Sequence, residues 1–277
     1  MSFISLREEI RIQMSKVVTF FSSLSNVGTT STTLSTAYAL SSHSDVRVGV
    51  LLLNSWDDGT DFFINPPYFL NELKSQLAGK MFENDEEFLN KFKSIRENFY
   101  VLAGNKDRRM ERLFTADEIE YLITRSKDVF DIVLIDGGCH FDNALTTVAI
   151  HQSDFKILIC NQQAKGIKRF EQLYDDILFS LGVNKNHIHL VVNQYQDRSF
   201  LATDKDIAKQ LDLSLLVTID WEASGWLAEI ENKIMYSYDL PLYREGIMTI
   251  TRKIAETFDI SLKETDQKKK GLARWFK

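Results

Sequence analysis

Apolar residues fall in short, nearly unbroken runs along the chain: residues 17–21 (VVTFF), 48–53 (VGVLLL), 99–103 (FYVLA), 132–135 (IVLI), 155–160 (FKILIC), 188–192 (IHLVV) and 215–219 (LLVTI). Runs of Val, Ile and Leu without alternation predict strands covered on both faces. Between them, residues 30–41, 115–126, 166–181 and 245–258 place apolar side chains at helical spacing. Strands alternating with helices predict an α/β fold, a doubly wound and mostly parallel sheet flanked by helices. The pattern runs without a Pro/Gly-rich break through residues 16–260, which read as one domain. Residues 57–98 interrupt it as an insertion after the second strand, with residues 68–92 helical and heavily charged. Residues 1–15 read as a short helix or arm, residues 261–267 as a polar tether, and the full segment 261–277 as tether plus tail.

Composition narrows the class. The 277 residues are 44% hydrophobic with only 12 Gly and 3 Pro, enough for a sizeable core and unlike a disordered chain. The two cysteines, Cys139 and Cys160, sit in or beside apolar runs and read as reduced core residues of a cytoplasmic protein. The first residues carry acids and no long apolar stretch, so no signal peptide is expected. A net charge of −6 argues against a broad nucleic-acid face.

The first β–α turn of such a sheet is where a ligand is expected. It reads Ser25-Asn26-Val27-Gly28-Thr29-Thr30-Ser31, small residues that let backbone N–H groups approach an anion at the start of a helix. Taken alone, a Ser/Thr-rich turn is more often a plain helix cap. In order along the chain, this turn, the strand Phe130-Asp131-Ile132-Val133-Leu134-Ile135-Asp136 and the Asn193 turn resemble the MinD/ParA family of deviant Walker A P-loop ATPases. The family loop is K-G-G-x-G-K-[ST]-[ST]. Val27-Gly28 and Thr30-Ser31 match it, whereas Leu24 and Thr29 stand where the two lysines should be.

The resemblance implies a nucleotide site at Ser25, Asn26, Val27, Gly28, Thr29, Thr30 and Ser31, with Asn193 on the adenine side. It assigns Mg²⁺ to Thr30 and Asp136, and ATP or ADP as the cofactor. The acids that end the family's second strand are replaced by Asn54 and Trp56, and no catalytic residue is assigned. Loss of the loop lysine is most similar to the TadZ/CpaE branch, which places pilus or secretion machinery. That implies a homodimeric organiser with protein partners and little or no hydrolysis. An active ATPase borrowing Lys165 or Lys168, and a ParA-like DNA-segregation factor, are the competing readings. His187 and His189 lie two apart on a strand and read as ordinary strand-edge residues rather than a metal pair.

The tail departs from the acidic average. Lys268, Lys269, Lys270, Arg274 and Lys277 are cationic, and Leu272, Trp275 and Phe276 fall on one helical face. This pattern reads as an interfacial membrane helix and resembles the MinD membrane-targeting sequence. The expected location is cytoplasmic, peripheral at the inner face of the cell membrane.

Overall fold

A computed structural model describes residues 16–263. Its first strand, β1 (Lys16–Ser22), is apolar on both sides: Val18 and Phe20 enter one core layer, Val17 and Phe21 the opposite ones. After α1 (Thr29–His43), β2 (Val48–Leu52) is followed by α2 (Lys74–Gly79) and α3 (Asp85–Leu89). Then come β3 (Lys93–Arg96), β4 (Phe99–Leu102), α4 (Ala116–Val129), β5 (Ile132–Asp136) and α5 (Ala144–His151). The second half runs β6 (Phe155–Cys160), α6 (Ala164–Leu173), β7 (Ile188–Tyr195), α7 (Asp204–Leu211), β8 (Ser214–Asp220), α8 (Ser224–Ile230) and α9 (Pro241–Phe258).

The eight strands form one sheet in the order β3-β4-β2-β5-β1-β6-β7-β8. All neighbours are parallel except β3 and β4. Helices α1 and α9 cover one face around Leu34, Leu40, Ile247 and Ile250. The other face is packed by α4 around Ile119 and Leu122, and by α6 and α7 around Ile167, Phe170 and Ile207. Burial on both faces explains the unbroken apolar runs. Chain order reverses about β1, which lies between β5 and β6, so the crevice beyond the carboxyl ends of these strands is the natural ligand position.

The expected helix over 68–92 is broken. A 3-10 turn at Leu70–Leu73 leads into α2, which stops at Lys80 in the left-handed conformation, and Asn84 restarts the chain by capping α3. The pieces still bury Leu70, Leu73, Leu77, Phe88 and Phe92 against α4, so the segment is part of the core. Strand β3 and helices α5, α7 and α8 were absent from the expected pattern: β3 has four residues, and the helices only seven or eight each. The helix expected over 166–181 is α6 continued by a π turn at Tyr174–Leu178. The arm at 1–15 and the tail residues 268–277 lie outside the described residues.

Candidate nucleotide site

The turn after β1 bends through two left-handed residues, Asn26 at φ 60° and Gly28 at φ 87°. Gly28 caps α1 with no side-chain hydrogen bond, so no serine or threonine fills the helix N-terminus as an ordinary cap would. The first-turn N–H groups of a helix have no intrahelical acceptor. A Cβ on Gly28 would stand 2.3 Å from Asn193 Nδ2, which fixes the glycine by close approach as well as by φ. From the end of β7, Asn193 Nδ2 donates to the Val27 carbonyl at 2.8 Å and Gln194 Nε2 to that of Asn26 at 3.2 Å. Asn193 thus holds the loop while lining a small cleft of about 100 Å³ on its far side.

Thr30 turns its hydroxyl toward the sheet. Oγ1 donates to Asp136 Oδ2 at 2.5 Å and lies 3.3 Å from Asp57 Oδ2. Asp136 ends β5 opposite Phe20 of β1, fully buried, and accepts from the Gly138 N–H at 3.1 Å. Burial above all, and then the charge of Asp57, pushes its carboxyl up to about 7, against hydrogen bonds from Thr30 and Asn54. Asp57 is likewise held above its ordinary value by burial and by the charges of Asp61 and Asp58, opposed by the Gly59 N–H and Thr30.

These groups open onto a cavity of about 570 Å³ lined by the loop, Asn54, Trp56, Asp57, Asp61, His140, Trp226 and Glu229. Ser25, Asn26, Gly28, Thr29, Thr30 and Ser31 all reach it; Val27 is buried behind them. Trp56 and His140 stack at 5.2 Å across its rim, with Arg108 5.1 Å from the Trp56 ring. No lysine or arginine among the described residues lines the cavity. Leu24 is buried against Gly166, and Lys165 and Lys168 are exposed on α6 away from the lining.

Two placements differ from the sequence reading. Cys139 is not a core residue: it lines the cavity, half-buried, with its thiol pushed up to about 11 by burial and the charge of Asp136. The site also regains a carboxylate. Asp57 follows the replaced positions Asn54 and Trp56, and the turn after β2 brings it to Thr30. Its signal was visible as Asp57-Asp58-Gly59, acids directly before a turn glycine, but a fixed family spacing passes over it. His189 is packed as an ordinary histidine, as expected: it stacks on Phe155 at 4.3 Å, and burial lowers its pKa. No group of three or more metal-ligating His, Cys, Asp or Glu occurs among the described residues.

No protein-family model matches this sequence, and no curated protein does. Solved structures do. A ParA family ATPase from Chlorobium tepidum superimposes with a TM-score of 0.73 at 13% identity, over 86% of this chain and 98% of that one. MinD from Pyrococcus horikoshii, complexed with Mg-ADP, gives 0.70 at 16% identity over 87% and 96%. The fold is that of the ParA and MinD ATPases. A McdA variant from Cyanothece in complex with ATP gives 0.67 at 15% identity, over 91% and 99%.

The residues fit a Mg²⁺-nucleotide in part. Thr30, Asp136 and Asp57 are hard oxygen donors of the kind Mg²⁺ takes, and the uncapped start of α1 suits phosphate. The charge balance does not suit a free nucleotide, because Asp57, Asp61 and Glu229 face the cavity with no cation beside them. Mg²⁺ would supply the positive charge that links phosphate to these acids.

Proposed function

We propose that this chain is a spatial organiser of the MinD/ParA kind, working from a degenerate nucleotide site with little or no ATP hydrolysis. It binds ATP or ADP only together with Mg²⁺. Backbone N–H groups from Ser25 to Ser31 cradle the phosphates, and Thr30, Asp136 and Asp57 hold the metal. Dimeric in this reading, it sits on an anionic membrane through the basic tail 268–277. From there it positions or recruits a larger machine of the pilus, secretion, division or conjugation type, through protein partners.

The observation that supports the reading is a glycine turn at the uncapped start of α1, opening on a cavity that no lysine or arginine among the described residues lines. Positions 24 and 29 are a buried leucine and a buried threonine that line the cavity without charge. A loop lysine both binds phosphate and stabilises the charge that develops during transfer, and a hydroxyl does neither well. Shape without charge suits a switch or scaffold better than a catalyst. No helix among the described residues is long and apolar enough to cross a membrane, in keeping with a peripheral attachment.

Phosphate release from purified protein tests the reading, with Thr29→Lys alongside. The wild type is expected to release phosphate barely above background with Mg-ATP. Thr29→Lys restores one charge and should tighten Mg-ATP binding by roughly tenfold or more, the scale of one charge-assisted phosphate contact. Wild-type turnover at a rate ordinary for kinases and ATPases would refute the degenerate-site reading.

A further inference from the structure

Five carboxylates gather at the cavity and the cleft beside it: Asp57, Asp61 and Glu229 around the first, Asp220 and Glu222 in the second. None has an ion-pair partner among the described residues. Glu229 is held above its ordinary range by burial and by the charges of Asp61 and Asp57, so the acids work against one another. Like charges at a concave mouth become favourable when something positive sits among them. The same mouth exposes apolar surface. Trp226 is 66% exposed, Trp56 52% and Trp221 44%, with Trp221 and Trp226 edge to face at 5.8 Å. An acidic ring with open indole faces suits a segment that is both cationic and aromatic.

One segment of this chain has that chemistry. Residues 268–277, KKKGLARWFK, hold five cations, no acid, and Leu272, Trp275 and Phe276. The described chain ends at Lys263, whose N–H donates to the His43 carbonyl at the close of α1 and whose side chain pairs with Asp45. Helix α1 starts at Thr29 in the cavity loop, so its 15 residues put Lys263 about 22 Å from the cavity at about 1.5 Å per residue. The seven residues to Lys270 span about 23 Å when extended, and the remainder arrives at the mouth.

We propose that residues 270–277 seat in this mouth of their own chain, with their cations against Asp57, Asp61 and Glu229 and their aromatic pair against Trp226. The seat returns to the site the positive charge that Leu24 and Thr29 do not supply. It also makes the cavity and an anionic membrane competitors for one segment. The proposal deepens the function proposed above but requires neither bound nucleotide nor lipid, so each can fail alone.

Zero-length carbodiimide cross-linking of the full chain tests it, at low salt and without nucleotide or lipid. The expected links join Lys270 or Lys277 to Asp57, Asp61 or Glu229. They should form within one chain, as judged by mass spectrometry of isotope-mixed protein. They should weaken several-fold at about 0.5 M salt, where screening falls to a few ångströms. As a second readout, Cys139 lines the cavity and Cys160 is buried. In the full-length triple variant Lys268→Glu, Lys269→Glu, Lys270→Glu, alkylation of Cys139 should speed up several-fold while Cys160 stays protected. Links scattered over unrelated carboxylates, links only between chains, or an unchanged Cys139 rate would overturn the proposal. Loss of liposome binding or of nucleotide binding with the links retained would leave this seat standing and sink the other reading.

Discussion

Asp136 is the residue on which the site's electrostatics turn. Fully buried and beside Asp57, its carboxyl is pushed up to about 7, and Thr30 lies 2.5 Å away. The folded chain therefore keeps a proton that the unfolded chain gives up near pH 4. Stability from that proton is whole below the unfolded value and is lost as pH rises through the folded one. The loss is at most about 1.4 kcal/mol per unit between about pH 4 and 7. Asp136→Asn is neutral throughout, so its stability relative to wild type should climb between about pH 4 and 7 and level off above, read from urea midpoints. A difference that stays flat across that range would mean Asp136 titrates normally. At the same scale, Gly28 is held both by its φ of 87° and by the 2.3 Å at which a Cβ would meet Asn193.

Elements explain what the sequence revealed and what it hid. Strands buried on both faces announced themselves, because five or six consecutive apolar residues leave few alternatives. Helix α4 was legible from its apolar spacing, and a capping box fixes its start: Thr115 accepts from the Glu118 N–H while Glu118 reaches back to the Thr115 N–H. Glu118 also pairs with Lys74 of α2 at 2.5 Å, which ties the inserted segment to the core. Thr115→Ala should cost about 1 kcal/mol in urea unfolding, as lost caps do, and no measurable cost would place the stability of α4 in its packing alone. Helices α5, α7 and α8 were hidden by being too short for the period to show. Strand β3 was hidden because its side chains are half-exposed and its only sheet neighbour is β4. Within the site, Gly28, Thr30 and Asp136 were legible as a motif. Asp57, Asp61 and Glu229 were not, because their convergence is made by a turn and by a helix far along the chain.

At the scale of the molecule, the fold brings the glycine turn after β1, the buried carboxylate at the end of β5 and an aromatic, acidic rim to one crevice beyond β1. The membrane part of the account rests on the tail. The full chain should co-sediment with anionic liposomes at low salt and lose that in Trp275→Glu with Phe276→Glu, each cation being worth about 1 kcal/mol at such a surface. Equal sedimentation of wild type and double variant would remove the tail from the account. The central claim is a nucleotide site kept in shape and stripped of charge, and calorimetric titration with ATP, with and without Mg²⁺, tests it most directly. The account predicts binding that appears only with Mg²⁺ and disappears in Thr30→Ala and Asp136→Asn. Equally tight binding without Mg²⁺, or binding indifferent to both substitutions, would contradict it.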